Sequence, residues 1–144
     1  MITALEHVAL SVRDMDASLA FYRDTLGMTV LRELEPGVGG EKLGVITGMP
    51  NCRARIAHLD LGGTMLELFQ YLEPEGHSQP VDRRQADHGF IHLGLTSTDT
   101  VAECERLQAL GVEFISEPLE FRPGVWIVYF RGPDGEVCEL RQSG

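Results

Sequence analysis

The sequence predicts an α+β fold made of two strand-helix-strand-strand-strand (βαβββ) units, which form a curved mixed sheet with helices outside. Three observations lead there. The chain has 144 residues, 43% of them hydrophobic and 24% charged, enough to build a packed core but not two large independent domains. Short alternating segments rich in β-branched and aromatic residues recur throughout, interrupted by two stretches with helical periodicity. The order of these segments also repeats: His7-Val8-Ala9-Leu10-Ser11 has its counterpart in His92-Leu93-Gly94-Leu95-Thr96, Leu26-Gly27 in Leu110-Gly111, and Leu66-Glu67-Leu68 in Cys138-Glu139-Leu140.

The elements follow in order. Leu5 to Val12 alternates as a strand, with Val8, Leu10 and Val12 on one face and His7, Ala9 and Ser11 on the other. Asp14 can cap a helix whose apolar stripe runs Met15, Leu19, Tyr22, Leu26, and Gly27 ends it. Met28–Leu34, Gly44–Thr47 and Ala54–Leu59 are the next strands; Gly62-Gly63 offers a two-residue hairpin turn into Met65–Tyr71. Residues 72–89 carry charges, prolines and glycines without periodicity and form the linker, so the units divide as 1–76 and 77–144, together one domain. The pattern restarts at Phe90–Leu95. A capping box from Thr100 to Glu103 opens a helix through Val101, Cys104, Leu107 and Leu110, closed by Gly111. Val112–Ile115 and Gly124–Phe130 supply strands, and Gly132-Pro133-Asp134-Gly135 turns into a last one at Val137–Leu140.

Charge and cysteine usage exclude several functions. The net charge is -10, from 12 Lys+Arg against 22 Asp+Glu, so no basic surface follows a nucleic-acid backbone. Three widely spaced cysteines form neither a disulfide framework nor a thiolate metal motif, which fits a reducing cytoplasm. The start lacks the basic flank and apolar run of a secretion signal, and no stretch of about 20 apolar residues exists to span a membrane. Glycine motifs for nucleotide phosphates are missing. The expectation is a soluble cytoplasmic protein that binds neither nucleic acid nor membrane.

What the repeat does carry is a histidine near the first strand and a glutamate on the last strand of each unit. His7, Glu67, His92 and Glu139 therefore form two similar pairs that a pseudo-twofold axis would bring together. Two imidazoles and two carboxylates suit a divalent Ni, Co, Zn, Fe or Mn ion and leave positions for water or substrate oxygen. His58 is a reserve ligand on a strand, while His77 and His88 fall in the polar linker. Phe69, Trp126 and Phe130 are candidates to wall a small organic substrate, with core packing as the competing role.

These residues also carry a family resemblance. His7-Val8-Ala9-Leu10-Ser11-Val12-Arg13-Asp14, Phe21-Tyr22-Arg23-Asp24-Thr25-Leu26-Gly27, His92, and Tyr129-Phe130-Arg131-Gly132-Pro133-Asp134-Gly135 leading to Glu139-Leu140 resemble the vicinal oxygen chelate superfamily. That superfamily includes glyoxalase I, methylmalonyl-CoA epimerase, extradiol ring-cleaving dioxygenases and fosfomycin or bleomycin resistance proteins. The resemblance implies paired βαβββ modules that bind a divalent ion through His7, Glu67, His92 and Glu139. It implies a metal-dependent isomerase, epimerase or lyase acting through an enolate or enediolate on a small molecule with neighbouring oxygen atoms. Glu139 would be a displaceable ligand and general base, with Glu41 a second base suggested by the epimerases, and the protein would be a homodimer. Ser11 stands where glyoxalase I commonly has a glutathione-binding arginine, and Glu67 where the epimerases commonly have glutamine. The alternatives are an Fe(II)-dependent ring-cleaving dioxygenase and a non-enzymatic drug- or metabolite-binding resistance protein.

Overall fold

The computed structural model describes residues 1–144 and divides into two units, Met1–Ser78 and Gln79–Gly144. The first contains β1 (His7–Ser11), α1 (Met15–Leu19), which continues as a π-helical turn through Ala20–Thr25, β2 (Thr29–Leu34), α2 (Gly40–Thr47), β3 (Arg53–Asp60) and β4 (Met65–Glu73). The second contains β5 (Leu93–Thr96), α3 (Thr100–Ala109), β6 (Leu119–Arg122), β7 (Val125–Arg131) and β8 (Val137–Gln142). Each unit is a four-stranded mixed sheet flanked by helix, in the order β1-β4-β3-β2 or β5-β8-β7-β6. The first and last strands of each unit run parallel, and the remaining pairs are antiparallel. Both sheets thus have the predicted βαβββ architecture.

Alternation fixes which face each side chain takes. Along β4, Leu66 and Leu68 are buried while Glu67 and Phe69 lie between and after them on the opposite face. The buried face meets α1, whose Met15 and Leu19 are also buried. In the second unit Cys138 and Leu140 of β8 and Val128 and Phe130 of β7 are buried, and α3, with Cys104 and Leu107 buried, packs on those strands. Complete burial of a leucine such as Leu107 contributes about 1.5–3 kcal/mol.

The helix starts are tied to the last strands by a second repeated device. In α1, Asp14 Oδ1 accepts from Asp16 N and Ala17 N, and the remaining Met15 N–H donates to Gln70 Oε1 at 3.2 Å. In α3, Asp99 Oδ1 accepts from Ala102 N, and Thr100 N–H donates to Gln142 Oε1 at 3.0 Å. Each glutamine lies three positions after the site glutamate of its strand, Glu67 or Glu139. Replacing Gln142 by leucine removes the acceptor for a part-buried amide. A loss of about 1–2 kcal/mol is expected, measured as a lower midpoint in urea unfolding with an unchanged slope.

Several boundaries differ from the sequence expectation, each for a local reason. Gly44–Thr47 is the end of helix α2, not a strand: the β-branched Val45 and Ile46 stand exposed on the helix, and Thr47 Oγ1 donates back to Leu43 O at 2.8 Å. Gly44 is buried there, and a Cβ at this position would crowd backbone, meeting Met49 O at 3.0 Å. The Gly62-Gly63 turn is part of a longer loop between Asp60 and Met65, although both glycines do adopt positive φ. Asp99, not Thr100, is the cap of α3; Thr100 is the first helical residue, and its hydroxyl is buried against Ser97 Oγ. Val112–Ile115 makes only a bridge from Phe114 to Phe130. The strand beside it is β6, which sequence reading missed because it lies between Pro118 and Pro123 and is exposed at all four positions, leaving no alternation to detect.

Candidate functional site

In the first unit a row of polar side chains crosses the whole sheet on the face opposite α1. Parallel register sets His7 opposite Met65 and Ala9 opposite Glu67, which puts His7 and Glu67 on one face. Antiparallel register sets His58 opposite Glu67, and Arg32 opposite His58. The side chains follow the backbone: His7 Nε2 lies 3.3 Å from Glu67 Oε2, Glu67 Oε1 lies 3.0 Å from His58 Nε2, and Arg32 Nε lies 3.0 Å from His58 Nδ1.

The second unit repeats the first two members. Gly94 is opposite Glu139 in parallel register, so His92, two residues earlier, falls on the glutamate's face. His92 Nε2 lies 3.5 Å from Glu139 Oε2. Where the first unit has His58, the second has Tyr129, opposite Glu139 on β7. The Tyr129 phenol neighbours the Glu139 carboxylate across the strand pair, and its ring centroid is 5.2 Å from that of His92. Burial, with the carboxylate beside it, pushes the Tyr129 hydroxyl above its usual range.

The outer contacts of the two histidines determine what Nε2 presents. His7 Nδ1 meets the Glu6 carboxylate, an acceptor, so Nδ1 must donate. Gln85 Nε2 donates to Ile91 O at 3.1 Å, which turns Gln85 Oε1 toward His92 Nδ1 at 3.0 Å, and again Nδ1 must donate. Each neutral ring therefore directs the lone pair of Nε2 at a carboxylate oxygen. Two acceptors facing one another require a cation between them, either a proton or a metal ion. His7 shows the proton's version of that demand, its pKa raised first by Glu6 and then by Glu67, against the lowering effect of burial.

Donor spacing fits the metal alternative. Two ligands at about 2.1 Å from one ion, separated by an octahedral or tetrahedral angle, lie roughly 3.0–3.4 Å apart, close to the 3.3 and 3.5 Å observed. A metal-bound histidine ordinarily donates its other ring N–H to a carboxylate or carbonyl oxygen, as both do here. Each unit thus supplies a two-donor pair; no group of three or more His, Cys, Asp or Glu side chains is arranged to hold an ion. His58 does not extend the first pair, because both of its ring nitrogens are engaged, by Arg32 and Glu67. Burial is the main cause of its lowered pKa.

The remaining expected residues separate. Glu41 is exposed in the first turn of α2. Phe69 lies on the same face as Glu67, two residues along, and stacks on Tyr71 with centroids 5.7 Å apart. Trp126 and Phe130 stand opposite Gln142 and Cys138, on the sheet face away from Glu139; Phe130 is completely buried and packs on Phe114 at 5.4 Å. Core packing accounts for Phe130. His77 and His88 lie in the polar linker. A depression of about 690 Å³ in that linker, lined by Gln79, Pro80, Asp82, Arg83, Arg84 and Asp87, contains none of the site residues. Its charge is largely met locally, with Arg84 paired to Asp87 at 3.0 Å and Arg83 donating to Phe90 O at 2.6 Å.

Glu6, Gln85, Arg32 and Tyr129 were not legible as site neighbours, since none repeats in sequence. Only the alternation of Ala54–Leu59 against Met65–Tyr71 offered a signal for pairing His58 with Glu67.

A model of the Glyoxalase/Bleomycin resistance protein/Dioxygenase superfamily matches residues 4–140. A 2-epi-5-epi-valiolone epimerase from Actinomyces is 34% identical over 95% of this chain and 78% of its own length. A lactoylglutathione lyase from Pseudomonas aeruginosa is 32% identical over 95% of this chain and 81% of its own. Among solved structures, a glyoxalase family protein from Bacillus cereus superimposes with a TM-score of 0.88 at 22% identity, covering 100% of this chain and 97% of that one; at that identity the likeness is one of fold.

Proposed function

Because the chain belongs to the glyoxalase/bleomycin resistance protein/dioxygenase superfamily, we propose that it is a metal-dependent isomerase, epimerase or lyase acting on a small molecule with neighbouring oxygen atoms. In this reading its two units act as one domain, and His7, Glu67, His92 and Glu139 hold one divalent ion of the Ni, Co, Zn, Fe or Mn class. The observation that supports it best is the repeated confrontation of a histidine Nε2 lone pair with a glutamate oxygen, at 3.3 and 3.5 Å, with Nδ1 satisfied elsewhere in both units. When bound, the cation supplies the positive charge that favours an enolate or enediolate.

The chain's own residues would do the rest. Glu139 takes the proton alpha to the substrate carbonyl and returns it, with Glu41, in the first turn of α2, as the second base. Phe69, on the carboxylate face, offers an apolar wall. Ser11 closes β1 where a glutathione-binding arginine would stand, so a substrate like that of the 34% identical 2-epi-5-epi-valiolone epimerase is favoured over a glutathione adduct.

Metal analysis of the purified protein, followed by assay of hydroxyketone, hydroxyacid, acyl-thioester and glutathione-hemithioacetal substrates with Fe(II), Co(II), Ni(II) and Zn(II), tests the reading. Turnover that disappears with chelator and returns with one of these ions is the expected result; turnover that consumes dioxygen, or tight ligand retention without ion or turnover, would overturn it. Chelation is also expected to lower thermal stability. An ion at about 100 times its Kd stabilises the native state by about 2.7 kcal/mol, so the melting temperature should fall on chelation and recover on adding the ion.

The reading includes a cytoplasmic homodimer. Val45 and Ile46 on α2 and Leu119 and Phe121 on edge strand β6 are exposed, apolar surface that association would cover. No helix is long and apolar enough to cross a membrane. Chromatography over a range of concentrations should give a dimer, and V45E/I46E should shift it toward monomer.

A further inference from the structure

We infer that His58 is a positioning residue that, backed by Arg32, fixes Glu67 so that one carboxylate oxygen is held and the other is presented beside His7. The inference rests on the proposed metal site and adds to it a residue that is not a ligand. Arg32 Nε can only donate, so His58 Nδ1, 3.0 Å away, accepts and carries no proton. The ring is therefore the neutral Nε2–H tautomer, and Nε2 donates to Glu67 Oε1 at 3.0 Å. Oε2 is left 3.3 Å from His7 Nε2.

Direction matters in this chain of contacts. Arg32, His58 and Glu67 occupy adjacent strands β2, β3 and β4 at paired register positions, so the sheet itself holds their spacing. The His58 side chain is 8% exposed and that of Glu67 13%, so water competes weakly for the hydrogen bond. A carboxylate held through one oxygen loses rotational freedom and meets the ion through the other, which makes it a one-oxygen ligand with its geometry set before the ion arrives. In the second unit the cross-strand partner of Glu139 is a phenol with no arginine behind it in the register. The two glutamates are therefore held differently, Glu67 by a donor whose tautomer is dictated from the next strand.

Two measurements on metal-free protein decide this. Long-range proton–nitrogen NMR should show His58 as the Nε2–H tautomer at neutral pH in wild type, with the preference reduced in Arg32→Met. Titration with Ni(II) or Co(II) should show binding about 10–100-fold weaker in His58→Leu, and within about threefold of wild type in His58→Gln, whose amide can both accept from Arg32 and donate to Glu67. Circular dichroism and urea unfolding establish that the variants are folded, and should His58→Leu fail to fold, the comparison passes to Arg32→Met, expected to bind more weakly than wild type. A wild-type Nδ1–H tautomer, or unchanged ion affinity in folded His58→Leu, would overturn the inference. If wild type binds none of Ni(II), Co(II), Zn(II), Fe(II) and Mn(II), the proposed function fails and the positioning role is decided on Glu67 alone. Its carboxyl carbon shift should then move in His58→Leu and stay in His58→Gln; no movement in His58→Leu overturns the role.

Discussion

Glu139→Gln is expected to lower kcat by about 10²–10⁴-fold while divalent-ion affinity falls far less. The glutamate faces His92 Nε2 at 3.5 Å and has Tyr129 as its cross-strand neighbour. Its proposed role combines ligation with proton transfer, and glutamine keeps a carbonyl oxygen for the first but has no basic oxygen for the second. Glu67→Gln should behave differently. Glu67 Oε1 is already occupied by His58 Nε2, so its loss should appear mainly as weaker ion binding, with turnover recovering at saturating ion. Parallel titrations and steady-state kinetics on both variants separate the two roles. Equal losses of turnover at saturating ion would remove the distinction between them.

Phe130→Ala carries the second large effect, on stability. Phe130 is wholly buried against Phe114, on the face of β7 away from Glu139. Truncating such a ring costs about 3–5 kcal/mol, and the melting temperature should drop by on the order of 10 °C. Phe69→Ala is the contrasting variant: Phe69 is only partly buried and shares the face of Glu67, so its effect should fall more on KM than on the melting temperature. Differential scanning calorimetry paired with kinetics reads both. A Phe130→Ala protein of near-native stability with altered substrate preference would show that the sheet-face assignment is wrong.

How much of this was readable beforehand depends on how local the cause was. Strands such as Met65–Tyr71 were legible because burial alternates with period two along them, and Asp14 was legible as a cap because its effect reaches only three residues. β6 was invisible for the opposite reason: an exposed edge strand between prolines shows no alternation of its own and owes its existence to pairing with β7. Val45 and Ile46 misled because β-branched residues favour strands in general, whereas here the glycines around them and the exposed side of a helix decide. At the site, the His/Glu pairs could be found because the repeat marks them twice. His58 as Glu67's partner, and Gln85 as His92's, depend on register and on a linker conformation that no single segment encodes.

The glutamine contacts at the helix starts bear on how faithfully the acidic groups are aimed. A strand that slides by one residue against its neighbours turns all its side chains over, which would send Glu139 into the oily layer beneath α3 and bring Leu140 out. Gln142 resists that error, because its amide reaches Thr100 N from only one of the two faces, and Gln70 performs the same service for Glu67 through Met15 N. Each half therefore carries its own alignment pin, three residues downstream of the group whose orientation it protects.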